Sequence, residues 1–164
     1  MNRVLITLLL LIVCLPAQAA EPAAGKEAPA LAGQDLSGHT VDLGKLRGQV
    51  VLVHFWATWC ILCREEMQAL DGFYRAHHEG GLEIIAVSLD RYSDRDKVKK
   101  VMEPYAFSAF MADDMHPNEF DTPHAIPLTY VIDRKGIIRL AVSPDLIPLN
   151  RKNLDRDVLP LLKK

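Results

Sequence analysis

The chain has 164 residues, enough for one domain, and 49% of them are hydrophobic, enough for a sizeable core. Its 19 basic and 21 acidic side chains give a formal charge of −2 with no block of one sign. That balance argues against nucleic acid or an anionic membrane surface as partner and leaves proteins as the expected partners.

In chain order, the first segment reads as an export signal. Asn2 and Arg3 form a short basic start, Val4 to Leu15 is an almost unbroken apolar run, and Ala17-Gln18-Ala19 supplies small residues for cleavage after Ala19. An uncleaved membrane anchor is the alternative, although the run is short for a span and Pro16 ends it. Cleavage removes residues 1–19, Cys14 among them, and leaves 18 basic and 21 acidic side chains, a charge of −3. Two cysteines remain, and export leads to a compartment where disulfides form, a bacterial periplasm. Residues 20–28 read as a flexible leader and 29–164 as the single folded domain.

Within that domain, Asp35 to Asp42 suggests a hairpin turning at Ser37-Gly38, followed by a helical turn at 43–46. Val50 to Trp56 is a β-branched and aromatic run interrupted by His54, which predicts a buried central strand. Leu62, Met67, Leu70, Phe73 and Tyr74 recur at helical spacing between Cys60 and His78, and Gly80-Gly81 ends that helix. A strand over 83–89 and a polar helix over 94–102 follow. Leu128 to Asp133 and Ile137 to Val142 predict a second hairpin. A last helix covers 154–162, with Pro160 distorting its final turn. The order is β, α, β, α, β, β, α, an α/β arrangement.

Cys60 and Cys63 are the chemical feature of this pattern. A thiol at the first turn of a helix faces orphan backbone N–H groups and the positive end of the macrodipole, which stabilise the thiolate that attacks disulfides. Three residues on, Cys63 lies on the same side of the turn. A disulfide closing so short a loop removes little chain entropy, so stapling explains the pair poorly. Half a zinc site has the same spacing and stays open at this point.

The segments Gly48 to Cys60 (GQVVLVHFWATWC), Cys63 to Met67 (CREEM) and Ile126 to Gly136 (IPLTYVIDRKG), with the hairpin-like stretch Pro29 to Leu46, resemble the thioredoxin superfamily and, within it, exported TlpA/ResA-like proteins. The resemblance covers nearly all of the chain after the signal. It implies a thioredoxin-like α/β fold, with a central mixed sheet flanked by helices and an N-terminal β-hairpin extension. It also implies thiol-disulfide exchange without a cofactor or resident metal, with Cys60 as nucleophile and Cys63 as resolving thiol. Trp59 would offer an apolar surface to the substrate, while Trp56 belongs to the core. A cis bond at Pro127 would face the dithiol and leave the backbone of Ile126 to pair with an extended peptide. His54 stands where thioredoxins place a buried aspartate, so it would take the Cys63 proton, the duller reading being a core histidine that only hydrogen-bonds. The implied activity is reduction of protein disulfides by a monomer, in cytochrome c maturation or thiol repair, with an inner-membrane thiol-disulfide protein as electron donor.

Several residues depart from the superfamily pattern. Ile61-Leu62 replaces the proline-containing dipeptides common between the cysteines, Leu128 replaces a threonine, and Gln68 replaces a helix-kinking proline, which predicts a straighter helix. Glu65 and Glu66 read as a solvated helix face. Two rival functions remain: a copper- or zinc-binding module using Cys60, Cys63 and His124, and a peroxiredoxin, disfavoured because Thr58 precedes Cys60 by two residues rather than three.

Overall fold

Every residue of Val50–Trp56 is buried, and the run forms the middle strand of a five-stranded sheet. The computed structural model describes residues 23–120, 122–143 and 148–163, so the expected signal peptide and its cleavage site lie outside the described residues. Its strands are β1 (Leu31–Gln34), β2 (Thr40–Asp42), β3 (Val50–Trp56), β4 (Leu82–Ser88), β5 (Ser108–Met111), β6 (Met115–Asn118), β7 (Leu128–Ile132) and β8 (Ile138–Val142). The helices are α1 (Ile61–His77), α2 (Arg95–Met102), α3 (Arg151–Asp157) and α4 (Leu159–Leu162).

The main sheet has the order β5-β4-β3-β7-β8, with β3, β4 and β5 parallel and β7 and β8 antiparallel. Both parallel crossovers step the same way across the sheet, so right-handed connections carry α1 and α2 to one face. Alternation along β3 then divides the core. Val50, Leu52 and Trp56 pack with Met67, Leu70 and Phe73 of α1, Val98 and Met102 of α2 and Leu154 of α3. Val51, Val53 and Phe55 face the other way, onto Leu31, Leu43, Met115 and Phe120. The helices therefore flank the sheet on one face, and a three-stranded sheet, β2-β1-β6, covers the other.

Three local expectations need correction. The first strand of the N-terminal hairpin is Leu31–Gln34 rather than a segment starting at Asp35, which instead accepts backbone N–H bonds from Ser37 and His39 and shapes the turn. Strands β5 and β6 were not expected, and β5 adds a third parallel strand. The C-terminal helix begins at Arg151, where Asn150 caps it by accepting from the Asn153 backbone N–H, and it breaks at Val158. Pro160 has no N–H to continue the ladder, so the chain restarts as a separate short helix with the proline in its first turn. Among the described residues no helix is long and apolar enough to cross a membrane.

Candidate active site

Strand β3 delivers the chain to the C-terminal edge of the parallel strands, where residues 57–60 turn before α1. The Cys60 N–H donates to the Ala57 carbonyl at 3.1 Å, which closes that turn. Cys60 is then the N-cap of α1 in extended conformation, and its sulfur accepts from the backbone N–H of Cys63 at 3.2 Å. A disulfide joins Cys60 to Cys63, with their Cα atoms 5.3 Å apart. The two sulfurs are not equivalent: Cys63 is wholly buried, whereas Cys60 keeps 8% of its surface open. The helix runs unbroken from Ile61 to His77.

The peptide bond between Ile126 and Pro127 is cis. The Ile126 carbonyl lies 3.9 Å from the Cys60 sulfur, so this segment forms the wall opposite the dithiol. The rim is apolar: Trp59, Ile61 and Leu62, all within two residues of Cys60, are exposed by 66%, 65% and 53%. Trp56, by contrast, is fully buried.

His54 is fully buried on the α1 face of β3. Its Nδ1 lies 2.8 Å from the hydroxyl of Thr129, its direct partner across β3 and β7. Nε2 has no hydrogen-bond partner among the described residues. Burial pulls the imidazole pKa from 6.5 down to about 3, so the ring is neutral at physiological pH.

His124 is exposed, and among the described residues no three His, Cys, Asp or Glu side chains are grouped to hold a metal. The structure thus does not assemble Cys60, Cys63 and His124 into a copper or zinc site. Both thiols are committed to each other, and Cys63 lies in the core.

Two acidic residues escaped the sequence reading. Glu66, expected on a solvated face with Glu65, is buried, and its Oε1 accepts from the Leu149 backbone N–H at 2.9 Å. Burial raises its pKa, and the bond from Leu149 partly offsets the rise. Asp90, just beyond β4, holds the turn before Cys60. Its carboxylate accepts from the Thr58 backbone N–H at 2.8 Å, the Thr58 hydroxyl at 2.7 Å and the Ser88 hydroxyl at 2.8 Å.

Glu66 supports a stability prediction. Glu66→Ala leaves the Leu149 N–H buried and unpaired and should destabilise by about 1–3 kcal/mol. Glu66→Gln keeps an acceptor and removes the buried charge, so at neutral pH it should match or exceed the parent. Because the folded-state pKa is raised, the carboxyl's contribution is fully present below its unfolded pKa and is lost as pH rises through the folded one. Urea unfolding of both variants at pH 4 and pH 7 checks this: the gain from Gln should be larger at pH 7.

The AhpC/TSA family profile matches residues 24–141. A Bacillus cereus protein named thiol-disulfide oxidoreductase ResA is 33% identical over 114 residues, which cover 68% of this chain and 65% of that protein. The Bacillus subtilis thioredoxin-like protein YneN is 31% identical over 117 residues, covering 70% of this chain and 68% of that one. A crystal structure from Chlorobium tepidum, assigned as a thiol:disulfide interchange protein DsbE, superposes with a TM-score of 0.73 at 25% identity and covers 85% of this chain and 98% of its own. The chain spans just under two thirds of the length of the Bacillus cereus ResA protein. The order of the sheet, the dithiol at the start of α1 and a family match over most of the sequence lead to one assignment: this chain belongs to the AhpC/TSA family and has its thioredoxin-like fold.

Proposed function

We propose that the protein is an exported thiol-disulfide oxidoreductase that reduces protein disulfides through Cys60 and Cys63. The observation that carries this reading is the unequal exposure of the two sulfurs within one disulfide at the start of α1. In the reduced protein the Cys60 thiolate, held by the Cys63 N–H and the helix terminus, attacks one sulfur of a substrate disulfide. A mixed disulfide forms, and the first substrate thiolate leaves and takes up a proton. Cys63 then loses its proton and attacks the Cys60 sulfur; the second substrate thiol departs, and the Cys60–Cys63 disulfide remains. Two electrons have passed from protein to substrate, so the oxidised dithiol in the structure corresponds to the product state.

Trp59, Ile126 and Pro127 are assigned to substrate binding. The substrate would lie across the apolar rim, with its backbone against the Ile126 segment beside Cys60. His54 is assigned to the second step: its unpartnered Nε2 can take the Cys63 proton only transiently, because the lowered pKa makes that transfer uphill and the proton quick to leave. Regeneration outside the cytoplasm requires an electron donor, for which an inner-membrane thiol-disulfide protein fits the expected periplasmic location. Cytochrome c maturation or thiol repair is the corresponding setting.

Reduction of insulin, followed as turbidity with a chemical reductant supplying electrons, tests the activity; hydrogen peroxide consumed faster than insulin is reduced would favour a peroxiredoxin instead. The assignment of the two thiols has its own check. Iodoacetamide at mildly acidic pH should label Cys60 first in the reduced protein, because Cys63 is buried and Cys60 caps the helix. Peptide mapping that found Cys63 labelled first would reverse the roles.

A further inference from the structure

Strand β3 ends at Trp56, so the Thr58 N–H has no partner in the sheet and must be satisfied inside a loop that buries it. Asp90 provides that partner, from a loop 32 residues away. Its Oδ2 accepts from the Thr58 N–H and the Ser88 hydroxyl, and its Oδ1 accepts from the Thr58 hydroxyl. Ser88 in turn accepts from the Asp90 N–H at 3.1 Å, which closes the network. Thr58 and Ser88 are buried with it, at 5% and 0% exposure, and Asp90 itself is 8% exposed. A backbone bond from the Leu89 N–H to the Trp56 carbonyl at 2.8 Å fastens the same two loops one step earlier. Asp90 has no ion pair among the described residues, so its charge is held by these three donors alone.

The clamp acts two residues before the reactive pair. Thr58 and Trp59 are the middle residues of the turn that the Cys60 N–H closes onto Ala57. Where Thr58 is fixed, Trp59 is held at the rim and the Cys60 sulfur meets the Cys63 N–H. We propose that Asp90 is a positioning residue for the thiol chemistry, clamping Thr58 and Ser88 so that Cys60 is held as the N-cap of α1. The proposal rests on the thiol-disulfide reading of the dithiol, but it concerns the reactivity of Cys60 itself and needs no substrate to be known.

Two substitutions separate geometry from charge. Asp90→Asn can preserve the network: its carbonyl accepts from the Thr58 N–H, and its amide donates to the Thr58 hydroxyl. Asp90→Ala leaves the Thr58 N–H buried and unpaired, and the turn loosens. The experiment is the rate of carboxymethylation of Cys60 by iodoacetate in the reduced protein across a pH series, read by peptide mass spectrometry, with folding followed by circular dichroism.

Asp90→Ala should slow the reaction at neutral pH by about tenfold and move the midpoint of its pH profile upward, as the thiolate loses its N–H partner. Asp90→Asn should stay within about threefold of the parent, with its midpoint unchanged or lower, since a buried negative charge has gone. A folded Asp90→Ala protein with the parent's rate and midpoint would overturn the proposal. So would equal slowing in Ala and Asn, which would make the charge rather than the geometry responsible. If Asp90→Ala does not fold, Thr58→Val decides: it removes only the hydroxyl bond and should slow the reaction by about two- to fivefold, whereas an unchanged rate overturns the proposal. A parent protein that alkylates normally at Cys60 yet reduces no insulin would sink the reductase reading and leave this comparison valid.

Discussion

Cys60→Ser should reduce disulfide turnover to the uncatalysed background, while Cys63→Ser should retain the first attack and stall as a covalent adduct. The asymmetry follows from the site. Cys60 is the sulfur with open surface and the N-cap of α1, so its loss removes the attacking thiolate. Cys63 is sealed in the core among Leu70, Met67 and Trp56, where it meets no substrate but can reach the sulfur of Cys60. Without it the mixed disulfide has no internal thiol to resolve it. Incubating each variant with a protein disulfide and running the products without reductant is the check. A higher-mass species should accumulate with Cys63→Ser and be missing with Cys60→Ser; the reverse pattern would exchange the two roles.

His54 carries the second large effect, and it has separate thermodynamic and kinetic parts. His54→Ala opens a cavity under α1 and strands the buried hydroxyl of Thr129, so the expected cost is on the order of 2–4 kcal/mol. The parent should also be acid-sensitive through this residue. The folded-state pKa of about 3 lies below the ordinary imidazole value of 6.5, so the unfolded chain binds the extra proton first as pH falls. Stability is fully present above 6.5 and is lost on descending toward about 3, by up to about 5 kcal/mol over the window. In His54→Leu that slope should be shallower by the same amount, which unfolding curves at several pH values would show. Kinetically, replacing His54 should slow release of the mixed disulfide and leave the first attack nearly intact; equal slowing of both steps would return it to a purely structural role.

The parts of the fold that were legible in the sequence are those with sustained local periodicity. Val50–Trp56 could be read as a buried central strand because seven residues in a row are apolar or nearly so, and α1 because its apolar positions repeat over four turns. The hairpin of β7 and β8 was signalled by Arg134-Lys135-Gly136 between two apolar runs. Strands β5 and β6 have only four residues each, and β6 contains Pro117, which speaks against a strand unless it lies at an edge, as it does here beside β1. Their strand character comes from partners, β4 and β1, far away in sequence. At the site, Cys60, Cys63 and the Ile126-Pro127 pair were legible as motifs. Asp90 and Glu66 were not, because what makes them notable is a bond to Thr58 in one case and to Leu149, 83 residues on, in the other. Nothing local distinguishes a helical glutamate that meets solvent from one that meets a distant backbone N–H.

The direction of electron flow rests on what surrounds Cys60. Its thiolate is favoured by the helix terminus and the Cys63 N–H, and the nearest cation in sequence, Arg64, is exposed to solvent. A moderately stabilised thiolate keeps the reduced form a good electron donor, whereas a strongly stabilised one makes an oxidant. The most direct test is equilibration of the purified protein with glutathione buffers, with the Cys60–Cys63 couple quantified by alkylation and mass spectrometry. A disulfide reductase should show a two-electron transition nearer to about −270 mV, the thioredoxin value, than to about −120 mV, the value for DsbA. A potential close to about −120 mV, or no two-electron transition at all, would contradict a disulfide reductase.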